Sequence, residues 1–218
     1  MTDVSRAEAL ILEQMQMLPS AQFPINKVIG SVLRENVLAE RDHPPFDRVT
    51  MDGIAIKYVD WEQVLRCYRV VGSQGAGVRP LSIIKDAECI KIMTGAMLPD
   101  GADTVIPVER LTSDKNNILV EDTAKALKGQ YIHPSGSARI AGSQLLSSAQ
   151  LIGPPEMAIL ASSGNASVQA SIPPRVAIIS TGDELIDVGE EILPYQIRSS
   201  NDRAIEASLI RHCQATVT

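Results

Sequence analysis

Apolar positions recur with helical spacing near the start of the chain. Ala7, Leu10, Ile11, Met15 and Leu18 share one face of a helix predicted over Ser5–Leu18. Ser5 and Glu8 stand at capping-box spacing, where each side chain satisfies the other's free backbone N–H. The stripe, with its methionine, reads as a packing surface. The loop HPPFDRVTMDGIAI follows later; Pro44-Pro45 forbids helix there and Asp52-Gly53 signals a turn. From that loop to about Leu151 short β-type runs recur: Tyr68–Val71, Cys89–Met93, Thr104–Val108, Asn117–Glu121 and Gln144–Ile152. Turns rich in Gly, Asp or Pro (GSQGAG, LPDGAD, SDKNN) separate them, which predicts a compact β-rich module.

Pro154-Pro155 opens a helix over EMAILASS, and Gly164 can close it through a left-handed cap. A short strand, VQAS, follows. Ile172-Pro173-Pro174 is a rigid linker and the preferred domain boundary. Beyond it the pattern changes. VAIIS, ending at Ser180, is the continuous apolar run of a strand buried on both faces of a parallel sheet. The loop TGDEL leaves its C-terminal end. Asn201 can cap a helix over DRAIEASLIRHC, and QATVT resembles the start of another strand. A parallel sheet needs further crossovers to cover such strands, so the expectation is an α/β unit cut short at Thr218.

Composition alters this picture little. The 218 residues are 44% hydrophobic and 21% charged, a globular balance long enough to bury a core. The net charge of −6 argues against nucleic-acid binding, although local donors or a metal can still attract an anion. The three cysteines, Cys67, Cys89 and Cys213, are widely spaced and read as free thiols of a reducing compartment. The N-terminus lacks a signal-peptide pattern, and no apolar stretch reaches the roughly 18 residues of a membrane span. Cytoplasm is the expected location, with no membrane partner.

Candidate chemistry sits in loops at strand ends. Asp52-Gly53 precedes the strand IAIK. Thr94-Gly95-Ala96 follows CIKIM. Thr181-Gly182-Asp183-Glu184 follows VAIIS. Each sets a small residue beside a hydroxyl or carboxylate, which frees backbone N–H groups to face an anion. In open α/β sheets the ligand crevice lies at such C-terminal strand ends. Carboxylates there can hold Mg²⁺, which clamps phosphate oxygens. Each loop also has an ordinary reading, since Asp-Gly is a common turn and TGA and TGDEL are short. His43, His133 and His212 are isolated, and no zinc motif, GxSxG elbow or P-loop occurs.

In combination and order, PPFDRVTMDGIAI, IKIMTGAMLPDGADTVIPVE, GQYI…G…AGSQLL and VAIISTGDEL followed by RSSND resemble the molybdopterin molybdenumtransferase family. These segments run from about Pro44 to Cys213, and the ordered set is far more specific than any one of them. The resemblance implies an α/β multidomain subunit. Residues 1–42 and 140–172 would form an elongated linker domain. Residues 43–139 would be a β-rich domain inserted into it. Residues 175–218 would begin a doubly wound, parallel-sheet, molybdopterin-binding domain. It also implies the reaction, insertion of molybdate into adenylylated molybdopterin with release of AMP in the presence of Mg²⁺. Carried over by motif, Asp52 and Glu184 would serve metal–phosphate positioning or acid/base work, and Thr94 would hydrogen-bond substrate. Ser180, Thr181, Gly182, Asp183 and Asn201 would line the pterin–phosphate crevice. The family is usually a homodimer, which would bring Asp52 and Thr94 toward Glu184 of a partner chain. The molybdopterin-adenylating protein and molybdenum enzymes are candidate partners.

The sequence departs from the family pattern at GQYIHPSGSARIAG. There His133 replaces an arginine and Ser137-Ala138 replace two acids. That loss motivates a second reading, a noncatalytic scaffold or dimerisation module of the same family. A third, an unrelated nucleotide or sugar-phosphate enzyme sharing only TGDEL, leaves MDG and MTGA unexplained.

Overall fold

The computed structural model describes residues 2–218. They form two compact units, one of residues 39–143 and one joining residues 2–38 to 144–218. The first segment holds helix α1 (Val4–Gln14) and strands β1 (Ser20–Pro24) and β2 (Val37–Leu38). The central unit holds β3 (Arg48–Val49), β4 (Gly53–Ile56), α2 (Tyr58–Glu62), β5 (Cys67–Gln74), β6 (Glu88–Ile92), β7 (Thr104–Pro107), β8 (Leu111–Asp114), β9 (Asn117–Val120) and β10 (Ile132–His133). The last segment holds β11 (Gln144–Leu146), α3 (Pro154–Ser162), β12 (Ser167–Ser171), β13 (Arg175–Val176), β14 (Leu185–Ile186), β15 (Ile197–Arg198), α4 (Asn201–Cys213) and β16 (Thr216–Val217).

The central unit is built on a mixed six-stranded sheet in the order β7-β4-β6-β5-β9-β8. Only the β5–β6 pair is parallel. Both faces of β4 and β7 are buried, which is why GIAI and TVIP read as nearly unbroken apolar runs. One face carries Ile54, Ile56, Cys89, Ile106, Ile118 and Tyr68. The other carries Ala55, Ile90, Ile92 and Val105, packed with Val49, Ile83 and Ala96. The buried Gln74, Asp60 and Glu88 side chains are paired, whereas the buried His43 Nε2 has no hydrogen-bond partner among the described residues. Gln74 accepts from the Leu81 N–H (2.7 Å) and donates to the Met97 carbonyl. Asp60 accepts from Ala87 N–H (3.0 Å), and Glu88 is paired with Arg69.

Gly53 sets the closest approach in this sheet. It lies opposite Pro107 on β7 and Ile92 on β6. A Cβ there would lie 1.9 Å from the Ile106 carbonyl oxygen, so no other residue fits without moving a strand.

The other unit has its own core, in which Val28, Leu33, Val37, Leu146, Ile152, Leu160, Val168 and Ala170 pack together. β1 pairs antiparallel with β12, and β2 with β11. β13 and β16 form a parallel pair whose connection contains α4. Helix α3 starts at Pro154 as expected, and Gly164 beyond its end has φ +76°.

Several sequence expectations change. α1 begins earlier and ends at Gln14; its N-cap is Asp3, which accepts from the Arg6 N–H at 2.8 Å, so the Ser5–Glu8 box does not form. Its apolar stripe is not core, since α1 buries no residue and Ile11 is 63% exposed. The run expected over Gln144–Ile152 is strand only to Leu146, because the chain turns at 147–150 with Ala149 at positive φ. VAIIS is extended, but its ladder covers Arg175–Val176, with one further bond from Ile178 N–H to Thr218. Ile179 is 83% exposed. Among the described residues β13 has one strand neighbour, and none of Val176, Ala177, Ile178, Ile179 and Ser180 is buried. Asn201 is the first residue of α4; Ser200 holds the N-cap position and makes no side-chain capping bond. The pairing of β1 with β12 and the strand β8 were not anticipated.

Replacing Gly53 with alanine is expected to destabilise the central unit by about 3 kcal/mol, the upper end for steric overpacking, read as a lower urea midpoint. The buried Cys89 thiol is pushed up to about 12 by burial. Native alkylation at pH ~8 should therefore modify exposed Cys67 and Cys213 but spare Cys89 until the chain is denatured.

Candidate functional site

The site in the central unit is assembled by strand pairing. β4 is flanked by β6 and β7, and Asp52 immediately precedes it. The Asp52 carbonyl accepts from the Val108 N–H at 2.9 Å, which extends the β4–β7 ladder by one residue. On the other side β6 runs into a tight turn. Ala96 N–H bonds back to the Met93 carbonyl (3.1 Å), and Gly95 takes φ +85°, the conformation such a turn requires at its third residue. Ala96 is fully buried and anchors the turn, while Gly95 N–H donates to the Val49 carbonyl at 2.9 Å.

This arrangement brings Asp52 and Thr94 together. The Thr94 backbone N–H and hydroxyl both donate to Asp52 Oδ1, each at 2.7 Å. The Thr94 N–H, and then its hydroxyl, hold the Asp52 carboxyl below its ordinary 3.8. Asp52 is exposed and stays ionised across the neutral range. Its Oδ2 accepts no hydrogen bond among the described residues, so one oxygen is fixed and the other is available.

Asp52 opens onto a pocket of ≈ 270 Å³ that Lys91, Met93, Val108, Leu111 and Ser113 also line. Sequence reading missed Lys91 and Ser113. A signal existed in the segment ECIKI: Lys91 occupies the same alternation as buried Cys89, where a strand buried on both faces would carry an apolar residue.

The remaining candidates lie in the other unit. Ser180, Thr181 and Asn201 line one pocket of ≈ 270 Å³ with Ile178, Leu185, Ser199 and Asp202. This pocket includes the first turn of α4, whose free N–H groups favour an anion. Asp187 and Arg203 brace that turn: Arg203 donates to Asp187 Oδ1 at 3.2 Å. The Val188 N–H and then Arg203 hold the Asp187 carboxyl below its usual range. Gly182 wraps Glu184, since a Cβ at Gly182 would stand 2.8 Å from each Glu184 carboxylate oxygen. Asp183 and Glu184 are exposed and do not line the pocket. No cluster of at least three His, Cys, Asp or Glu side chains suited to a metal occurs among the described residues. A carboxylate oxygen such as Asp52 Oδ2 is nonetheless the hard donor that Mg²⁺ takes singly, completing its shell with water and phosphate.

Asp52 has its carboxyl lowered in the folded chain, so its link to Thr94 stabilises the fold above the carboxyl's unfolded value. That contribution disappears as pH falls through the lower folded value. Thr94→Val should bring the Asp52 titration back toward 3.8, measured from its carboxyl carbon shift. The Thr94 amide of the unmodified chain should shift over the same acidic interval in which Asp52 titrates.

Comparison with known proteins adds an independent line. A molybdopterin molybdenumtransferase of Synechocystis is 32% identical over 96% of this chain and 54% of its own length. One from Staphylococcus aureus is 32% identical over 94% of the chain and 49% of its length. Two crystal structures of a molybdopterin biosynthesis MoeA protein from Pyrococcus horikoshii superpose with TM-scores of 0.80 and 0.83, at 29% and 26% identity. They cover 99% and 97% of this chain and 56% of each structure. The chain thus spans about half the length of the relatives it matches. No described helix is long and apolar enough to cross a membrane. The family described as the MoeA N-terminal region (domain I and II) matches residues 2–164, and the chain belongs to it.

Proposed function

We propose that this chain supplies part of a molybdenum-insertion enzyme, which joins molybdate to adenylylated molybdopterin and releases AMP in molybdenum cofactor biosynthesis. The observation that carries the reading is the Asp52–Thr94 pair. A carboxylate is fixed at a strand end by two donors on one oxygen, in the family's MDG and MTGA segments. The names of relatives that align along nearly the whole chain support it.

Within that reaction the chain's residues divide the work. A carboxylate held below its ordinary range is a poor proton acceptor at neutral pH. Asp52 therefore suits charge positioning better than base catalysis. Thr94 fixes the side chain and leaves Oδ2 for a ligand. Asp52 and Glu184 are the residues that would hold Mg²⁺; when bound, the ion would offset the charge of the phosphate oxygens. Ser180, Thr181 and Asn201, beside the N–H groups of the first turn of α4, would hold the anionic part of the pterin substrate. Gly182 leaves room for the Glu184 carboxylate, and Asp183 is exposed beside it. A homodimer and a cytoplasmic location complete the proposal.

In the full product of the gene, Asp52→Ala and Glu184→Ala should each lower AMP release about 100-fold, measured with adenylylated molybdopterin and molybdate. Unchanged turnover in both variants overturns the assignment. Residues 1–218 alone are expected to yield no turnover. The noncatalytic alternative draws on the loop at Ser137-Ala138, whose own two residues carry no carboxylate: Ser137 donates to the Pro134 carbonyl at 2.7 Å, and the neighbouring Asp42 and Asp47 accept from the Ala141 and Ser135 N–H groups. Restored molybdenum-enzyme activity in a deficient cell excludes that alternative.

A further inference from the structure

The pocket beside Asp52 contains polar groups that the proposed reaction has not used. On β6, Lys91 pairs with Ile54 of β4, so the two side chains rise from the same face of the sheet. Ser113 of β8 lies opposite Ile118 of β9, which belongs to that face's core. At the sheet's inner part this face is apolar, with Ile54, Cys89, Ile106 and Ile118. At its rim, Asp52, Lys91 and Ser113 line one pocket together with Met93, Val108 and Leu111.

Among the described residues, Lys91 has no carboxylate within 4.0 Å. Neither its ammonium nor the Ser113 hydroxyl donates a hydrogen bond among the described residues. Asp52, the one acid lining the pocket, already receives two donors from Thr94. The ammonium acts toward the sheet interior as well, since its charge opposes the upward shift of the Cys89 thiol. A cation and a hydroxyl without partners, at the mouth of an apolar layer, form a receptor for an oxyanion.

We propose that Lys91, with Ser113, binds a tetrahedral oxyanion in the Asp52 pocket. This oxyanion is either a phosphoryl group of the substrate or molybdate itself. The inference deepens the molybdenum-insertion reading and rests on it for the identity of the substrate. Lys91 would act in binding, its ammonium offsetting the repulsion between the ligand and the ionised Asp52 carboxylate.

The test is titration of the 218-residue chain, at constant ionic strength, with inorganic phosphate, AMP and molybdate in separate arms. The backbone amides of Lys91 and Met93 report binding by NMR. A saturable shift is expected in at least one arm. Lys91→Met should weaken it about tenfold, the loss expected for one charge-assisted hydrogen bond, and Lys91→Arg should retain it. Response to phosphate and AMP alone assigns the phosphoryl group, and response to molybdate alone assigns the metal oxyanion. No saturable shift in any arm, or equal affinity in Lys91→Met, overturns the proposal. Because binding is read without turnover, either result stands apart from the AMP-release assay. That assay can fail while Lys91 still binds, and it can succeed while Lys91 does not.

Discussion

The close backbone approach at Gly53 is the constraint on which the Asp52 site depends. β4 carries pairing partners on both sides, so any displacement at Gly53 must move β6 or β7 with it. The residue before it, Asp52, inherits its position from that pairing, and the turn at Thr94 inherits its own from the end of β6. The two donors of Thr94 reach one oxygen because two strand ends are locked in register. The Asp52–Thr94 pair is therefore a property of the sheet. The turn dipeptide Asp-Gly, common in any protein, becomes specific here through the Ile106 carbonyl that excludes a Cβ.

Much of this fold could be read from local pattern. The strand runs of the central unit and the Pro-initiated helix α3 follow from apolar alternation, turn residues and caps, which act over a few positions. Errors arose where the deciding contact was distant or lacking. Ser20–Pro24 has little strand pattern of its own and is strand because Ser167–Ser171 lies beside it. VAIIS reads as a doubly buried strand, yet it has one neighbour among the described residues and leaves Ile179 in solvent. The apolar stripe of α1 predicts its periodicity correctly, but periodicity alone cannot say that the face has something to cover it. At the start of α1, Asp3 prevails over Ser5 because its carboxylate is placed to accept from Arg6.

The candidate site was legible in a similarly uneven way. Asp52 and Thr94 were both marked by motif, and their contact spans 42 residues. Only the sheet reveals that the pair is a single hydrogen-bonded group and that the carboxyl is lowered. Asn201 was assigned a capping role by residue type, although the chain enters α4 one residue earlier, at Ser200. Lys91, an exposed residue of β6, carries no local motif that marks it for a site. Its alternation with Cys89 places it at the rim of an apolar face, which only the assembled sheet shows.

The pairing of β1 with β12 carries a consequence for how the chain is made. The Gln22–Ser167 hydrogen bond joins residues 145 apart in sequence, and the intervening chain contains the whole central unit. During synthesis the central unit can complete its sheet as soon as it has emerged. The N-terminal segment must wait for β12 before it has a strand to join, because closure over so long a loop is slow. An early start and a late docking therefore meet in one strand. The exposed apolar residues of α1 travel beside it until β12 has emerged.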